Sequence, residues 1–435
     1  MVGLLLIGSG AREVAIARKI KESSSPVQLY CVGSTTNPQI KDLSEIYFEQ
    51  SPNEISSVLE SIKNLSIDLA IVGPENPLEA GLVDALEKIG IPCVGPKKGV
   101  AKIETSKAFA RNILDLCCPE MNPERKEFAS VDGVERFLQH LNEKYVIKYD
   151  GLMGGKGVKI SGEHLHSIDE SLVYANSIVN SGGTFLIEEK FLGEEFSLMS
   201  FCDGKTCAHM PLVQDHKRAF EGDVGPNTGG MGTYSFSNHG LPFLSEENVL
   251  EAQRTNERVA LELYKQTGQQ FRGILYGGFM LTKNGVRVIE YNARFGDPEA
   301  MNVLSILETD FLDICNAIVS GTLTDLDISF KNEATVCKYA VPNGYPNSPS
   351  KNFEVVCNPH DSNLYLAAVQ KTSGGVVATG SRTAAFVGIN KEIGVAEKLA
   401  ESGVCGVKGD LFHRKDIGTK KLIGLRIKNM KDLLG

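Results

Sequence analysis

In the stretch "IEYNARFGDPEA", residues 289–300, a carboxylate, a side-chain amide and a guanidinium stand at Glu290, Asn292 and Arg294. Period-two alternation puts all three on one face of a strand. A carboxylate and an amide oxygen suit a hard divalent cation held against nucleotide phosphates, and a guanidinium neutralises a transferred phosphoryl group. The competing reading is an edge strand with a salt-bridged polar face. Upstream, "YVIKYDGLMGGKGVKI" (145–160) reads as strand, glycine turn, strand, because β-branched runs flank the glycines. Such a hairpin is a flap whose amides, around Gly154, Gly155 and Gly157, close over phosphates while Lys148 and Lys156 supply charge. It is not a P-loop: Asp150 stands where that pattern needs glycine, and Gly157 where it needs Ser or Thr. A plain structural hairpin is the alternative.

Between these segments, "TFLIEEKFLGEEFSLMSFCDG" (184–204) reads as two strands joined through Glu188, Glu189, Lys190, Phe191, Leu192 and Glu195. An adenine amine and ribose hydroxyls donate hydrogen bonds, which carboxylates and carbonyls accept. We expect Glu188 near the amine, backbone of 189–192 around the adenine, and Glu195 on the ribose. Lys107 opens a helix in "ETSKAFARNIL". The run "QDHKRAFEGDVGPNTGGMGTYS" (214–235) sets Asp215, Lys217 and Arg218 beside a glycine-rich stretch containing Asn227, Thr228, Gly229 and Gly230. Glycine permits close backbone approach to a small ligand. Asp215 suits an ammonium, and the two cations suit carboxylate or phosphate. Lys217 and Arg218 serve equally well as structural partners of Asp223 or Glu221.

At the N-terminus "GSGARE" (8–13) opens a helix directly after a strand. Free amides at Gly10 and the Arg12 fork would hold an anion there, with a tight structural turn as the alternative. Glu13 is expected to point away from Arg12. A dinucleotide fingerprint is a poor match, since Glu13 replaces its third glycine and the strand ending "CVGS" lacks a ribose-binding acid. Glu75 leaves another strand at the same rim.

These residues need elements to carry them. The chain has 435 residues, 42% hydrophobic and 23% charged, enough for about three domains at roughly 150 residues each. A formal charge of −9 argues against a nucleic-acid surface. No apolar run approaches the ~20 residues of a membrane span, and the first ten residues are too short for a signal peptide, so a cytoplasmic protein is expected. Ten cysteines without C-x-x-C spacing read as buried reduced thiols. Apolar strands "LLLIG", "VQLYCVG", "DLAIVGP" and "PCVGP" alternate with helices, the mark of a parallel α/β domain over 1–103. After 325, short strands with glycine turns and one helix, "NKEIGVAEKLAES", read as a small α+β cap without a titratable cluster.

The order of glycine flap, acidic hinge and E-x-N strand resembles the ATP-grasp superfamily. More narrowly, "QDHKR", "GPNTGGMGTYS", "RGILYGGFML", "IEYNARFGDPE" and "FHRKDIG" are similar to the glycinamide ribonucleotide synthetase (phosphoribosylamine–glycine ligase) family, over residues up to about 425. That resemblance implies an α/β architecture of three parts: 1–103, an ATP-grasp unit over 104–325 with its flap at about 120–190, and a cap over 326–435. It implies ATP-driven joining of glycine to 5-phosphoribosylamine through a glycyl phosphate, with Mg²⁺ or Mn²⁺ on Glu290 and Asn292. Arg294, Asp215 and Lys217 would be catalytic. ATP would meet Lys107, Lys148, Gly154, Gly155, Lys156, Gly157, Glu188, Glu189, Lys190, Phe191, Leu192 and Glu195. Substrates would meet Gly10, Arg12, Glu13, Glu75, Asp215, Asn227, Thr228, Gly229, Gly230, Arg294 and Asp297. A monomer or weak homodimer is implied, with no nucleic-acid or membrane partner. The chain departs from the family's G-G-R-E-H turn, with Ala11 and Val14 where a glycine and a histidine stand. Another ATP-grasp ligase, or a non-catalytic nucleotide-binding protein, are the alternatives.

Overall fold

The computed structural model describes residues 1–153 and 157–435, so the expected phosphate contacts of Gly154, Gly155 and Lys156 lie outside the described residues. At the N-terminus β1 (Val2–Ile7), β2 (Val27–Gly33), β3 (Ile46–Glu49), β4 (Leu69–Val72) and β5 (Cys93–Val94) form a parallel sheet in the order β3-β2-β1-β4-β5. Leu4 to Ile7 are fully buried, as a strand covered by helices on both faces requires. β3 escapes the sequence reading because it is a short edge strand whose residues are half-buried or exposed and carry no continuous apolar signal. Strand order reverses between β1 and β4. Ligands of open α/β sheets bind at such a reversal, outside the carboxyl ends of the strands. The turn after β1 holds Gly10 and Arg12, and the turn after β4 leads into Glu75, so both reach the same rim.

Two antiparallel sheets follow. The first orders Arg125–Phe128, Phe185–Glu189, Tyr145–Tyr149 and Val158–Ile160. Its apolar face packs on helices Val134–His140 and Ile168–Asn180 around a core of its own, including Phe128, Val134, Leu138, Tyr145, Ile147 and Phe185. The second orders Cys207–His209, Gly193–Asp203, Arg272–Thr282 and Gly285–Asn292. Its core is continuous with that of the N-terminal domain. The connection 190–192 joins the two sheets, and the cleft lies between them.

The C-terminal region departs from the expected cap in three ways. Its main sheet takes two short strands from mid-chain, Gln214–Asp215 and Gly232–Ser235, beside Ala334–Pro342, Ala384–Asn390 and Leu364–Leu366. A second helix, Lys420–Leu434, follows Ile393–Gly406 and is capped by the Thr419 hydroxyl, which accepts from Leu422 N. Its apolar stripe is interrupted: Leu422, Ile423 and Met430 are buried while Leu425 and Leu434 are exposed. Finally, a titratable cluster is present, since Lys338 is wholly buried against Glu397 and Glu401 at 2.7 Å each.

Candidate active site

A cavity of about 1190 Å³ opens between the two antiparallel sheets and is lined from all three regions of the chain. At one end, the apolar side chains of Ile103, Leu114, Val146, Phe191 and Met280 line it beside the 189–192 connection. Glu188 does not face that end as a free acceptor. Arg111 donates from Nε and Nη2 to its two oxygens at 2.7 and 2.8 Å, and Lys148 Nζ sits 2.7 Å from Oε2. Burial would raise the Glu188 carboxyl, but Arg111 and Lys148 outweigh it and hold it at about 2. Arg111 also donates to the carbonyls of Val288 and Ile289, and Lys148 to that of Ile289. This buried knot therefore clamps the flap sheet to the strand that carries Glu290 and Asn292, and it leaves the Glu188 carboxylate already paired where an adenine amine was expected. Sequence reading missed Arg111, whose partner lies 77 residues away. Glu189 accepts from Glu124 N, and Lys190 pairs with Glu163, so both are tied locally at the cavity edge. Glu195 and Leu192 line the cavity, and Lys107 donates to the Gly151 carbonyl at the flap base. The Gly157 carbonyl accepts from Tyr149 N.

Glu290, Asn292 and Arg294 do converge. Glu290 Oε1 lies 3.2 Å from Lys217 Nζ, and Lys217 above all holds the Glu290 carboxyl at about 2 against its burial. The Lys217 ammonium is in turn raised, chiefly by Glu290. Asn292 Oδ1 accepts from Arg294 Nη2 at 3.1 Å. Arg294 also meets Glu104 at 2.9 Å and Glu75 at 3.3 Å, which joins this strand's end to the N-terminal domain. Burial lifts Glu104 to about 6 despite Arg294, whereas Arg294 and Arg12 overcome burial at Glu75 and hold it at about 2. Glu104 went unnoticed in the sequence because its own helix shows only an amphipathic pattern.

The deepest wall is acidic. Asp215, in a two-residue strand, is half-buried, and its carboxyl is raised well above the usual carboxylate range by desolvation and by Glu299, with Lys217 opposing. Glu299, also raised by burial, accepts from Tyr276 OH at 2.9 Å. Neither Glu299 nor Tyr276 was picked out from sequence. Above them Arg218–Phe220 pairs with Val224–Asn227 as a small hairpin. Thr228 Oγ1 donates to the Lys217 carbonyl, and Gly230 holds φ +112°, where an added Cβ would come within 2.7 Å of an Asp215 oxygen. Glycine is thus required there by close approach. Lys217 and Arg218 do not pair with Asp223 or Glu221: Lys217 reaches Glu290 and Glu195, and Arg218 pairs with Glu163. Asp223 is held instead by Arg414 and Arg426. Arg382, another residue missed, donates to the carbonyls of Gly229, Gly230 and Asp297 and stacks 4.6 Å over Tyr339. Tyr339 OH donates to Asp297 at 2.6 Å.

At the N-terminal turn Glu13 curls back, contrary to expectation. One of its oxygens accepts from Gly10 N at 2.7 Å and the other from Arg12 Nε at 2.7 Å. Arg12 Nη1 donates to the Phe295 carbonyl. The first-turn amide is therefore satisfied by the chain's own carboxylate, which completes a capping arrangement. Val14 is fully buried in the helix–sheet core, where a histidine would not be apolar filling. A smaller cavity of about 250 Å³ adjoins, between Ser9, Gly10, Thr35, Asp297, Ser381 and Arg382.

Two hinged β-sheets around a charged cleft, with a parallel α/β domain at one end, define an ATP-grasp protein. Residues 105–300 match the phosphoribosylglycinamide synthetase ATP-grasp (A) domain, residues 2–104 its N domain and residues 335–420 its C domain. The chain is 47% identical over 433 residues to a phosphoribosylamine–glycine ligase of Methanosarcina barkeri, covering 99% of this chain and 100% of that one. It is 45% identical over 442 residues to the enzyme of that name from Methanocaldococcus jannaschii, covering 99% of each. The fold matches the crystal structure of the Thermotoga maritima phosphoribosylamine–glycine ligase with a TM-score of 0.80 at 23% identity, over 95% of this chain and 100% of that one. A biotin carboxylase from Campylobacter jejuni shares the fold more distantly, with a TM-score of 0.69 at 13% identity over 99% of this chain and 95% of that one. The chain belongs to the phosphoribosylglycinamide synthetase family.

Proposed function

We propose that this chain joins glycine to 5-phosphoribosylamine, converting ATP to ADP and phosphate and producing glycinamide ribonucleotide for purine synthesis. The observation that carries the reading is one cavity lined together by Lys217, Arg294 and Glu290, by the carboxylates of Asp215 and Glu299, and by Gly229. A glycine carboxylate oxygen attacks the γ-phosphoryl group, ADP departs, and a glycyl phosphate forms. The ribosylamine nitrogen then attacks the acyl carbon, expelling phosphate and losing a proton. Asp215, with Glu299 beside it, receives the glycine ammonium. Lys217 and Arg294 lie against the carboxylate and the transferred phosphoryl group, where fixed cations stabilise developing charge. Enclosure by the flap hairpin and the 218–227 hairpin keeps water from the acyl phosphate.

ATP lies with its adenine at the apolar end of the cavity, its amine on backbone of 189–192, its ribose on Glu195, and its phosphates toward Lys107 and Lys148. Phosphoribosylamine lies at the sheet reversal, among Gly10, Arg12, Glu75, Asn227, Thr228 and Asp297, with the smaller cavity beside it. Because Glu13 occupies the Gly10 amide, the sugar phosphate relies on the outer Arg12 nitrogens rather than on the helix terminus. Glu290 and Asn292 present hard oxygen donors on one strand face, a set that fits Mg²⁺ or Mn²⁺. The ion supplies charge neutralisation on the nucleotide phosphates. Three working units, 1–103, 104–325 and 326–435, a monomeric or weakly dimeric state and a cytoplasmic location complete the reading. Free thiols at all ten cysteines suit that location. Among the described residues no helix is long and apolar enough to cross a membrane.

Phosphate release is measured with ATP, glycine and ribosylamine 5-phosphate, each omitted in turn, for the wild type and Glu290→Ala. Release should need all three substrates, and the variant should be inactive even at saturating Mg²⁺. Near-wild-type turnover by Glu290→Ala would remove the metal assignment, and release without glycine would remove the ligase reading.

A further inference from the structure

We propose that Glu401, Cys405 and His413, on the C-terminal domain, form a binding site for a thiophilic divalent ion of the zinc type. Glu401 and Cys405 stand one turn apart on helix Ile393–Gly406, and His413 follows the short strand Leu411–Phe412. Their ligating atoms all lie within 4.8 Å of one another. His413 Nε2 is 3.1 Å from Glu401 Oε1, and Cys405 Sγ is 3.7 Å from the same oxygen and 4.0 Å from His413 Nε2. Sulfur, imidazole nitrogen and carboxylate oxygen are the donors that zinc-type ions take in tetrahedral sites, and exposed Cys405 leaves a fourth position open to water.

The surroundings fix the set. Glu401 offers Oε1 to the site because its Oε2 is held at 2.7 Å by the ammonium of Lys338. Partners of this kind orient ligands and are worth about 10–100-fold in affinity. Charge also balances. Lys338, Glu397 and Glu401 sum to −1, so a dication entering with loss of the Cys405 thiol proton to solvent leaves the cluster neutral. Lys408 does not crowd the sulfur, since its ammonium donates to the Cys405 carbonyl at 2.6 Å. None of the three ligands lines the catalytic cavity. The next residue, Arg414, donates to the Arg218 carbonyl and to Asp223, so an ion here would pin the base of the 218–227 hairpin from outside.

The test titrates the metal-free full chain with Co²⁺ in Mg²⁺ buffer. A thiolate-to-cobalt charge-transfer band should saturate at about one equivalent and be displaced by Zn²⁺. Cys405→Ser should abolish the band while keeping ligase activity, and His413→Ala should weaken Co²⁺ binding by at least about tenfold. Absence of the band, or a band unchanged in Cys405→Ser, would overturn the site, the latter assigning the thiolate to another cysteine such as Cys117.

Discussion

Asp215 and Glu299 share one water-poor wall, and both carboxyls are raised by burial, Asp215 also by Glu299. Like charges in one site disfavour full ionisation, so the pair tends to retain a proton, which a glycine ammonium bound as proposed would displace. Affinity for glycine should therefore rise with pH through the raised pKa of the pair and then level. The expected result is a KM for glycine that falls as pH rises above the ordinary carboxylate range while the KM for ATP stays flat. Asp215→Asn should raise the glycine KM and flatten that pH dependence; an unchanged pH profile would place the ammonium elsewhere. Glu104, raised to about 6 by burial, pairs with Arg294 at 2.9 Å and titrates as a separate group.

At the scale of elements, the knot of Arg111, Glu188 and Lys148 holds a helix and two sheets together at buried positions. Removing one member of a buried ion pair costs about 3–5 kcal/mol, because its partners remain desolvated and uncompensated. Glu188→Gln should lower unfolding free energy by about that amount at neutral pH, read by denaturant titration. The sign with pH follows from the depressed pKa. The Glu188 contribution is fully present above its ordinary value and is lost as pH falls toward about 2. The variant should accordingly lose less stability than wild type on acidification, and an identical acid profile would count against the knot. This knot also shows where sequence reading stops. β1 and the helix Ala11–Lys21 were legible because apolar runs and helical periodicity are local, and the Glu290-x-Asn292 pair because alternation fixes its face. Arg111, Glu104, Glu299 and Arg382 were not, since each gains meaning from a partner that only folding brings near. Glu13 was misjudged for a related reason: helical position fixes its Cβ direction, but the carboxylate turned back to the Gly10 amide and Arg12. β3 and Lys420–Leu434 were missed where exposure blurs the apolar pattern.

Over the whole molecule, the flap sheet and its two helices keep a core separate from the large one that unites the N-terminal domain, the second sheet and much of the C-terminal region. A lobe with its own core is a separate cooperative unit, able to open while the remainder stays folded. It is tied to the rest by the 190–192 connection, the Arg111 knot, the Arg218–Glu163 pair and the bond from Lys107 to the Gly151 carbonyl. Nucleotide bridging both sheets would add ties that exist only when the lobe is intact and closed. A ligand present at 100 times its Kd stabilises the state it binds by about 2.7 kcal/mol, which slows opening-limited exchange about a hundredfold. Backbone amides of Phe185–Glu189 and Tyr145–Tyr149 should therefore exchange hydrogen for deuterium far more slowly with ADP and Mg²⁺, while those of β1 and β2 remain unchanged. Equal protection everywhere would mean that the lobe opens only with global unfolding. Selective protection would mean that nucleotide sets the population of intact lobe, so that turnover at low ATP is governed partly by how often a semi-independent piece of the chain is folded.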